Sequence, residues 1–181
     1  MPRIFFAVLL PDDIITSLVR LQRKLRSCCD EVKWVEQSNL HLTLQFLGNL
    51  DNSRMESLLR DAALSAKELS PFFIQFKGVG AFPNPARARI LWTGVGKGSS
   101  ELSELAASLS RSIGETQDKP FFAHLTLGRV KSGMCMTLPE NTGLDFLAGP
   151  VNIDSFYCIE SILKTQGPVY KIIKKYELKS K

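Results

Sequence analysis

His41 and His124 are the only histidines in a chain of 181 residues, and each opens the same tetrapeptide. His41-Leu42-Thr43-Leu44 and His124-Leu125-Thr126-Leu127 are identical. Average residue usage gives Leu-Thr-Leu after a given histidine odds on the order of one in a thousand or less. An imidazole titrates near neutral pH, so a neutral copy can take a proton while a protonated copy gives one. Threonine hydroxyls donate to anionic oxygens. Two such pairs around one bound group suit a phosphodiester, with the histidines flanking the attacking and leaving oxygens and the threonines on the non-bridging ones.

Strand geometry makes the tetrapeptide usable. Side chains alternate faces with a period of two, so in each copy the histidine and threonine share one face and the leucines take the other. The leucines anchor the strand in a core and leave an imidazole and a hydroxyl side by side above it. A single histidine in a strand is more often a hydrogen-bonded structural residue. Duplication of the whole tetrapeptide turns the reading toward catalysis. A metal held by both histidines lacks an obvious third ligand, and neither metal nor cofactor is expected.

The composition sets bounds. Apolar residues make up 44% of the chain, an ordinary value for a soluble protein. The apolar run Ile4 to Leu10 is stopped by Pro11-Asp12-Asp13, too short to span a bilayer and lacking the marks of a signal peptide. Cys28, Cys29, Cys135 and Cys158 form no C-x-x-C pair, so reduced thiols in a cytoplasmic protein are expected. The formal charge is +5, which permits a polyanionic partner without requiring one. Part of it lies in the tail, at Lys171, Lys174, Lys175, Lys179 and Lys181, where a solvated strand explains it at least as well as an RNA-steering patch.

The elements that must position the motifs alternate between strand and helix patterns. Strands are predicted at Ile4 to Leu10, Val32 to Val35, Leu40 to Leu47, Phe72 to Phe76, Arg89 to Val95, Phe121 to Val130, Ile153 to Leu163 and Val169 to Leu178. Helices are predicted after Pro11-Asp12-Asp13, with Ile14, Leu18, Leu21 and Leu25 on one face; from Asp51 or Ser53 to about Leu69; and after Gly98-Ser99-Ser100, with Leu102, Leu105, Leu109 and Ile113 on one face. Gly78 to Pro85 reads as a loop, and Lys131 to Pro150 as the longest one, expected to be mobile. No linker divides the chain. The expected fold is α+β, one bilobal domain over residues 1–181 with two similar lobes of antiparallel strands and helices.

At these residues the chain resembles the two-histidine (2H) phosphoesterase superfamily, marked by a pair of H-x-T-x motifs about half a chain apart. Within it, the chain is most similar to the RNA 2′,3′-cyclic phosphodiesterase family, also called 2′-5′ RNA ligase-like. Arg3 to Val8 looks like the family's opening strand, Asn39 to Gly48 its first motif with flanks, Arg89 to Trp92 its mid-chain strand, and Phe122 to Arg129 its second motif. Ser161, Leu163, Gly167 and Tyr170 match its ending. The resemblance implies two pseudo-symmetric lobes, each an antiparallel sheet flanked by helices, with the active-site cleft between them. It implies His41 as proton donor and His124 as proton acceptor. Thr43, Thr126 and Arg129 would bind the phosphate of an RNA or nucleotide 2′,3′-cyclic phosphate, which opens to a 2′-phosphomonoester.

Arg129 poses a parity problem. It lies five residues after His124 and by strict alternation faces away; a bulge or the strand's end at Gly128 could redirect it, and otherwise it is a surface strand residue. Phe46 has the same offset from His41 and is read as core. Alternatives to hydrolysis are 2′-5′ ligation at the same site and a non-catalytic nucleotide- or RNA-binding module. The expected assembly state is a monomer without a membrane partner.

Overall fold

The computed structural model describes residues 1–116, 120–131, 136–165 and 167–179. Among these residues nine strands form two antiparallel sheets: β1 (Arg3–Val8), β2 (Val32–Trp34), β3 (Leu42–Asn49), β4 (Phe72–Phe82), β5 (Ile90–Val95), β6 (His124–Val130), β7 (Leu147–Ile153), β8 (Ser155–Lys164) and β9 (Gly167–Glu177). The first sheet has the order β3-β1-β8-β9 and the second β2-β6-β5-β4-β7. Each motif strand thus heads an equivalent four-strand run, β3-β1-β8-β9 matched by β6-β5-β4-β7. The lobes interlock in sequence, because β2 from the first half joins the second sheet while β8 and β9 from the end complete the first.

Three α-helices cover the inner faces. In α1 (Asp12–Arg26), Pro11 holds the N-cap, Asp12 and Asp13 face the positive end of the helix dipole, and Arg23, Lys24 and Arg26 lie at the negative end. Ile14, Leu18, Leu21 and Leu25 are buried from it. Its buried Gln22 donates from Nε2 to the carbonyls of Val35 and Leu127, at 2.9 and 2.8 Å, and so ties the helix to the second motif strand. In α2 (Asn52–Ser65), Asp51 holds the N-cap position without a side-chain capping bond, and the helix ends at Ser65, short of Leu69. The helix α3 (Ser99–Ser112) buries Leu102, Leu105 and Leu109. Tyr176 Oη donates to the Leu59 carbonyl at 3.0 Å, joining α2 to β9, and Ser110 Oγ donates to Gln45 Oε1 at 3.0 Å, joining α3 to β3.

All four motif leucines, Leu42, Leu44, Leu125 and Leu127, are at most 3% exposed and lie in one continuous core. Burying a leucine stabilises by about 1.5–3 kcal/mol, so the anchoring role read from alternation has ample energy behind it.

Two loops expected from the sequence are in part strands. Residues 78–82 continue β4, with Gly78 as the extra residue between the Lys77–Gly94 and Val79–Thr93 pairs. The glycines that imitate a turn there have a packing cause: a Cβ on Gly80 would lie 2.3 Å from the Trp92 ring, so only glycine lets the indole lie across the sheet. The long predicted loop contains β7, whose Gly149-Pro150 pair reads as a breaker but sits on an edge strand, where a missing N–H costs no ladder bond. Residues 132–135 of that segment, including Cys135, lie outside the described residues, as does Lys181. No described helix is long and apolar enough to cross a membrane.

Candidate active site

The first half of the site grows from the start of β3. A single turn of 3₁₀ helix, Gln37–Asn39, precedes it and is fastened to β9 by Asn39 Nδ2 donating to the Pro168 carbonyl at 2.9 Å. His41 Nδ1 lies 2.7 Å from the Asn39 carbonyl. A carbonyl only accepts, so Nδ1 carries the hydrogen and Nε2 is left for chemistry. Thr43 Oγ1 is 3.1 Å from that Nε2. The imidazole is walled by Phe5, with ring centroids 4.9 Å apart, and by Tyr170, edge-on at 5.2 Å. Burial among these rings holds the His41 pKa below its ordinary value, and the Asn39 carbonyl partly opposes the shift.

The second half repeats the device. His124 Nδ1 lies 2.7 Å from the Phe122 carbonyl, again two residues upstream, so Nδ1 carries the hydrogen and Nε2 does not in the neutral ring. The aromatic wall is Phe82, edge-on at 5.1 Å, with Phe122 at 5.8 Å and Trp92 at 6.3 Å. Thr126 pairs across the sheet with Trp92, and His124 with Gly94. Partial burial lowers the His124 pKa; the Phe122 carbonyl opposes this, and the positive charge of Arg129 adds to it.

Bulges resolve the parity problem at both motifs. On β3, Ala7 pairs with Thr43 and Phe6 with Gln45, which leaves Leu44 extra. On β6, Trp92 pairs with Thr126 and Leu91 with Gly128, which leaves Leu127 extra. A bulge shifts the alternation by one residue. Phe46 therefore returns to the face of Thr43, and Arg129 to the face of His124 and Thr126. The expectation that Phe46 is core is corrected: it is 52% exposed and the Arg3 guanidinium lies 5.0 Å above its ring. Arg129 is exposed on the site face.

The two motif strands, β3 and β6, approach one another across the sheets. The positive charge of Arg129, on the second sheet, also favours a lower pKa at Tyr170 of the first, against the larger opposing effect of burial, and Tyr170 is the ring standing edge-on to His41. Among the described residues no group of three or more His, Cys, Asp or Glu side chains is placed to hold a metal. The faces of the two motif strands thus carry two imidazoles, two threonine hydroxyls and one guanidinium.

Comparison with known proteins identifies the family. Residues 8–92 match the family model described as LigT like phosphoesterase. The chain is 37% identical to an RNA 2′,3′-cyclic phosphodiesterase of Archaeoglobus fulgidus, over 97% of this chain and 99% of that one. The chain belongs to the LigT-like phosphoesterase family. It is also 32% identical to an RNA 2′,3′-cyclic phosphodiesterase of Thermus thermophilus, over 98% of this chain and 90% of the relative. A solved protein of Thermus thermophilus superposes with a TM-score of 0.77 at 30% identity, covering 97% of each chain. E. coli LigT in its apo form superposes with a TM-score of 0.76 at 26% identity, covering 99% of each.

This LigT-like phosphoesterase thus has the expected α+β fold with two antiparallel sheets and helices. Periodicity did not reach the aromatic walls: Phe5, Phe82, Trp92, Phe122 and Tyr170 come from four strands and the segment ahead of β6. The one available signal was the Phe122-Ala123-His124 spacing, which makes Phe122 both ring neighbour and carbonyl partner of the histidine.

Proposed function

We propose that this phosphoesterase hydrolyses 2′,3′-cyclic phosphate ends of RNA to 2′-phosphomonoesters, with His41 as proton donor and His124 as proton acceptor. His124 Nε2 takes a proton from water as its oxygen bonds to phosphorus. His41 Nε2–H gives its proton to O3′ as the P–O3′ bond breaks, leaving the phosphate on O2′. Thr43 and Thr126 donate to the non-bridging oxygens, and Arg129 stabilises the charge that builds on them.

The observation that carries the reading is the duplicated imidazole setting, in which each Nδ1–H is pinned to the carbonyl two residues upstream, so that Nε2 is the nitrogen available for proton exchange, at His41 with Thr43 Oγ1 3.1 Å from it. The direction of proton flow is supported by an asymmetry. Burial lowers the pKa of both histidines, and at His124 alone the positive charge of Arg129 adds to it, further favouring the neutral form a base needs. E. coli LigT, 25% identical in its complex with NADP+, binds a nucleotide, in keeping with an RNA or nucleotide partner here. The chain acts as a monomer in the cytoplasm on this reading; both histidines come from one chain, and Cys28, Cys29 and Cys158 are free thiols.

The test is incubation with adenosine 2′,3′-cyclic phosphate in the presence of a chelator. Adenosine 2′-phosphate as sole product is expected. A 3′-phosphate product, no turnover of any cyclic phosphate, or loss of activity on chelation would overturn the assignment.

A further inference from the structure

We propose that the cavity at the outer end of β1 is a subsite for the phosphodiester and nucleotide immediately 5′ of the cyclic phosphate, with Arg3 as its phosphate-binding residue. The proposal rests on the reading above that the cleft works on a cyclic phosphate at an RNA 3′ end.

The cavity has a volume of about 520 Å³ and is lined in part by Arg3, Phe46, Asn49, Ser161 and Leu163. It sits at the end of the first sheet, and its Arg3, Phe46, Asn49, Ser161 and Leu163 side belongs to the face that carries Thr43. Arg3, Phe5 and Ala7 alternate onto one side of β1, and Ala7 pairs with Thr43, Phe5 with Phe46 and Arg3 with Asn49. Beside them Ser161 pairs with Tyr170, whose ring touches both Phe5 and His41. Phe5 and Tyr170 stand beside the His41 imidazole, and each pairs across the sheet with a residue that lines the cavity, Phe5 with Phe46 and Tyr170 with Ser161. Arg3 lies four residues along β1 from Ala7, the partner of Thr43, about 13 Å, a gap that the nucleotide bearing the cyclic phosphate and the long Arg3 side chain bridge together.

Charge and shape fit a nucleotide there. Among the described residues Arg3 makes no ion pair with a carboxylate, so its fork of donors is open to a phosphate, which it binds through paired hydrogen bonds. Stacking of the guanidinium on Phe46 at 5.0 Å pre-orders it without using those donors. Glu160 also lines the cavity, but it pairs with Ile4 and Lys171 and so belongs to the opposite face of the sheet. The exposed Leu163, at 66%, supplies an apolar surface for a base or ribose. The preferred substrate is then an oligonucleotide end rather than a mononucleotide.

The experiment compares cytidine 2′,3′-cyclic phosphate, its 5′-phosphorylated form and the CpC dinucleotide ending in a 2′,3′-cyclic phosphate. For the wild type, kcat/KM is expected to rise about tenfold or more when the 5′ phosphate is added, and further with the second nucleotide. Arg3→Ala should erase the phosphate increment while leaving the plain cyclic nucleotide within about twofold, and Arg3→Lys should restore part of it. Equal kcat/KM for all three substrates, or an equal loss on all three in Arg3→Ala with an unchanged melting temperature, would overturn the subsite. Product binding reads it without turnover: cytidine 2′,5′-bisphosphate is expected to bind about tenfold tighter than cytidine 2′-phosphate to the wild type, and no tighter to Arg3→Ala. Equal affinities in the wild type overturn the subsite. An affinity difference without hydrolysis upholds it and overturns the hydrolase reading alone.

Discussion

Leu44 and Leu127 occupy the same extra position in their strands, each the last residue of a His-Leu-Thr-Leu copy and each buried in the shared core. The duplication therefore extends beyond the four letters to the backbone irregularity that follows them. Its effect is to return the residue five places after each histidine, Phe46 in one lobe and Arg129 in the other, to the face of the motif threonine. The pseudo-symmetry is broken in chemistry at that point: one lobe presents an aromatic ring, the other a cation.

His41→Ala and His124→Ala should each lower kcat on a 2′,3′-cyclic nucleotide by about 10²–10⁴-fold, the usual worth of a positioned acid or base. Because the two groups act in one step, the double variant should lose far less than the product of the single losses. Steady-state kinetics of the three variants checks this; a fully multiplicative loss would separate the histidines into independent roles.

The pH profile of kcat/KM should be bell-shaped, with both limbs set by imidazoles whose pKa values lie below 6.5 in the free protein. Removing the Arg129 charge relieves one cause of the His124 shift, so in Arg129→Ala the acidic limb should move to higher pH, whereas Arg129→Lys should leave it near its original place. The same substitution to Ala should cost about 10²-fold or more in rate through lost charge stabilisation. An acidic limb that stays put in Arg129→Ala would contradict the assignment of His124 as base.

The same lowered values have a stability consequence. Between the folded-state pKa and 6.5, the unfolded chain binds more protons at these histidines than the folded one, so stability rises with pH across that window and falls as the medium is acidified through it. Denaturant titrations at pH 5 and 7 should show this loss in the wild type, and the double variant lacking both imidazoles should show less of it.

Gly128→Ala tests the second bulge. A Cβ at this position would lie 2.4 Å from Val32 Cγ1, 3.2 Å from the Trp34 ring and 3.3 Å from the Lys33 carbonyl. Overpacking of this kind costs about 1–3 kcal/mol, measurable by denaturation. Displacement of β6 against β2 should also carry Arg129 out of place, so activity should fall more than it does in a core substitution of equal cost elsewhere.

Much of the site is legible in the sequence because it follows from period-two alternation: His41 with Thr43, and His124 with Thr126, over leucine anchors. What alternation cannot show is where it lapses. Nothing in Leu-Thr-Leu-Gln-Phe or Leu-Thr-Leu-Gly-Arg marks the bulged residue, which is why Phe46 reads as core and Arg129 stands at odds with its strand. The local pattern misleads where glycine and proline serve packing or an edge instead of a turn, at Gly80 beneath Trp92 and at Gly149-Pro150 in β7. The exchange of β2 and of β8–β9 between lobes depends on pairings distant in the chain, and no local pattern encodes them.

The most direct measurement is the crystal structure of the protein with adenosine 2′-phosphate bound. The account requires His41 Nε2 within hydrogen-bonding distance of O3′ and His124 Nε2 within reach of a phosphate oxygen on the opposite side of the same phosphorus, each about 3 Å away. A phosphate contacted by one imidazole alone, with the other directed elsewhere, would contradict it.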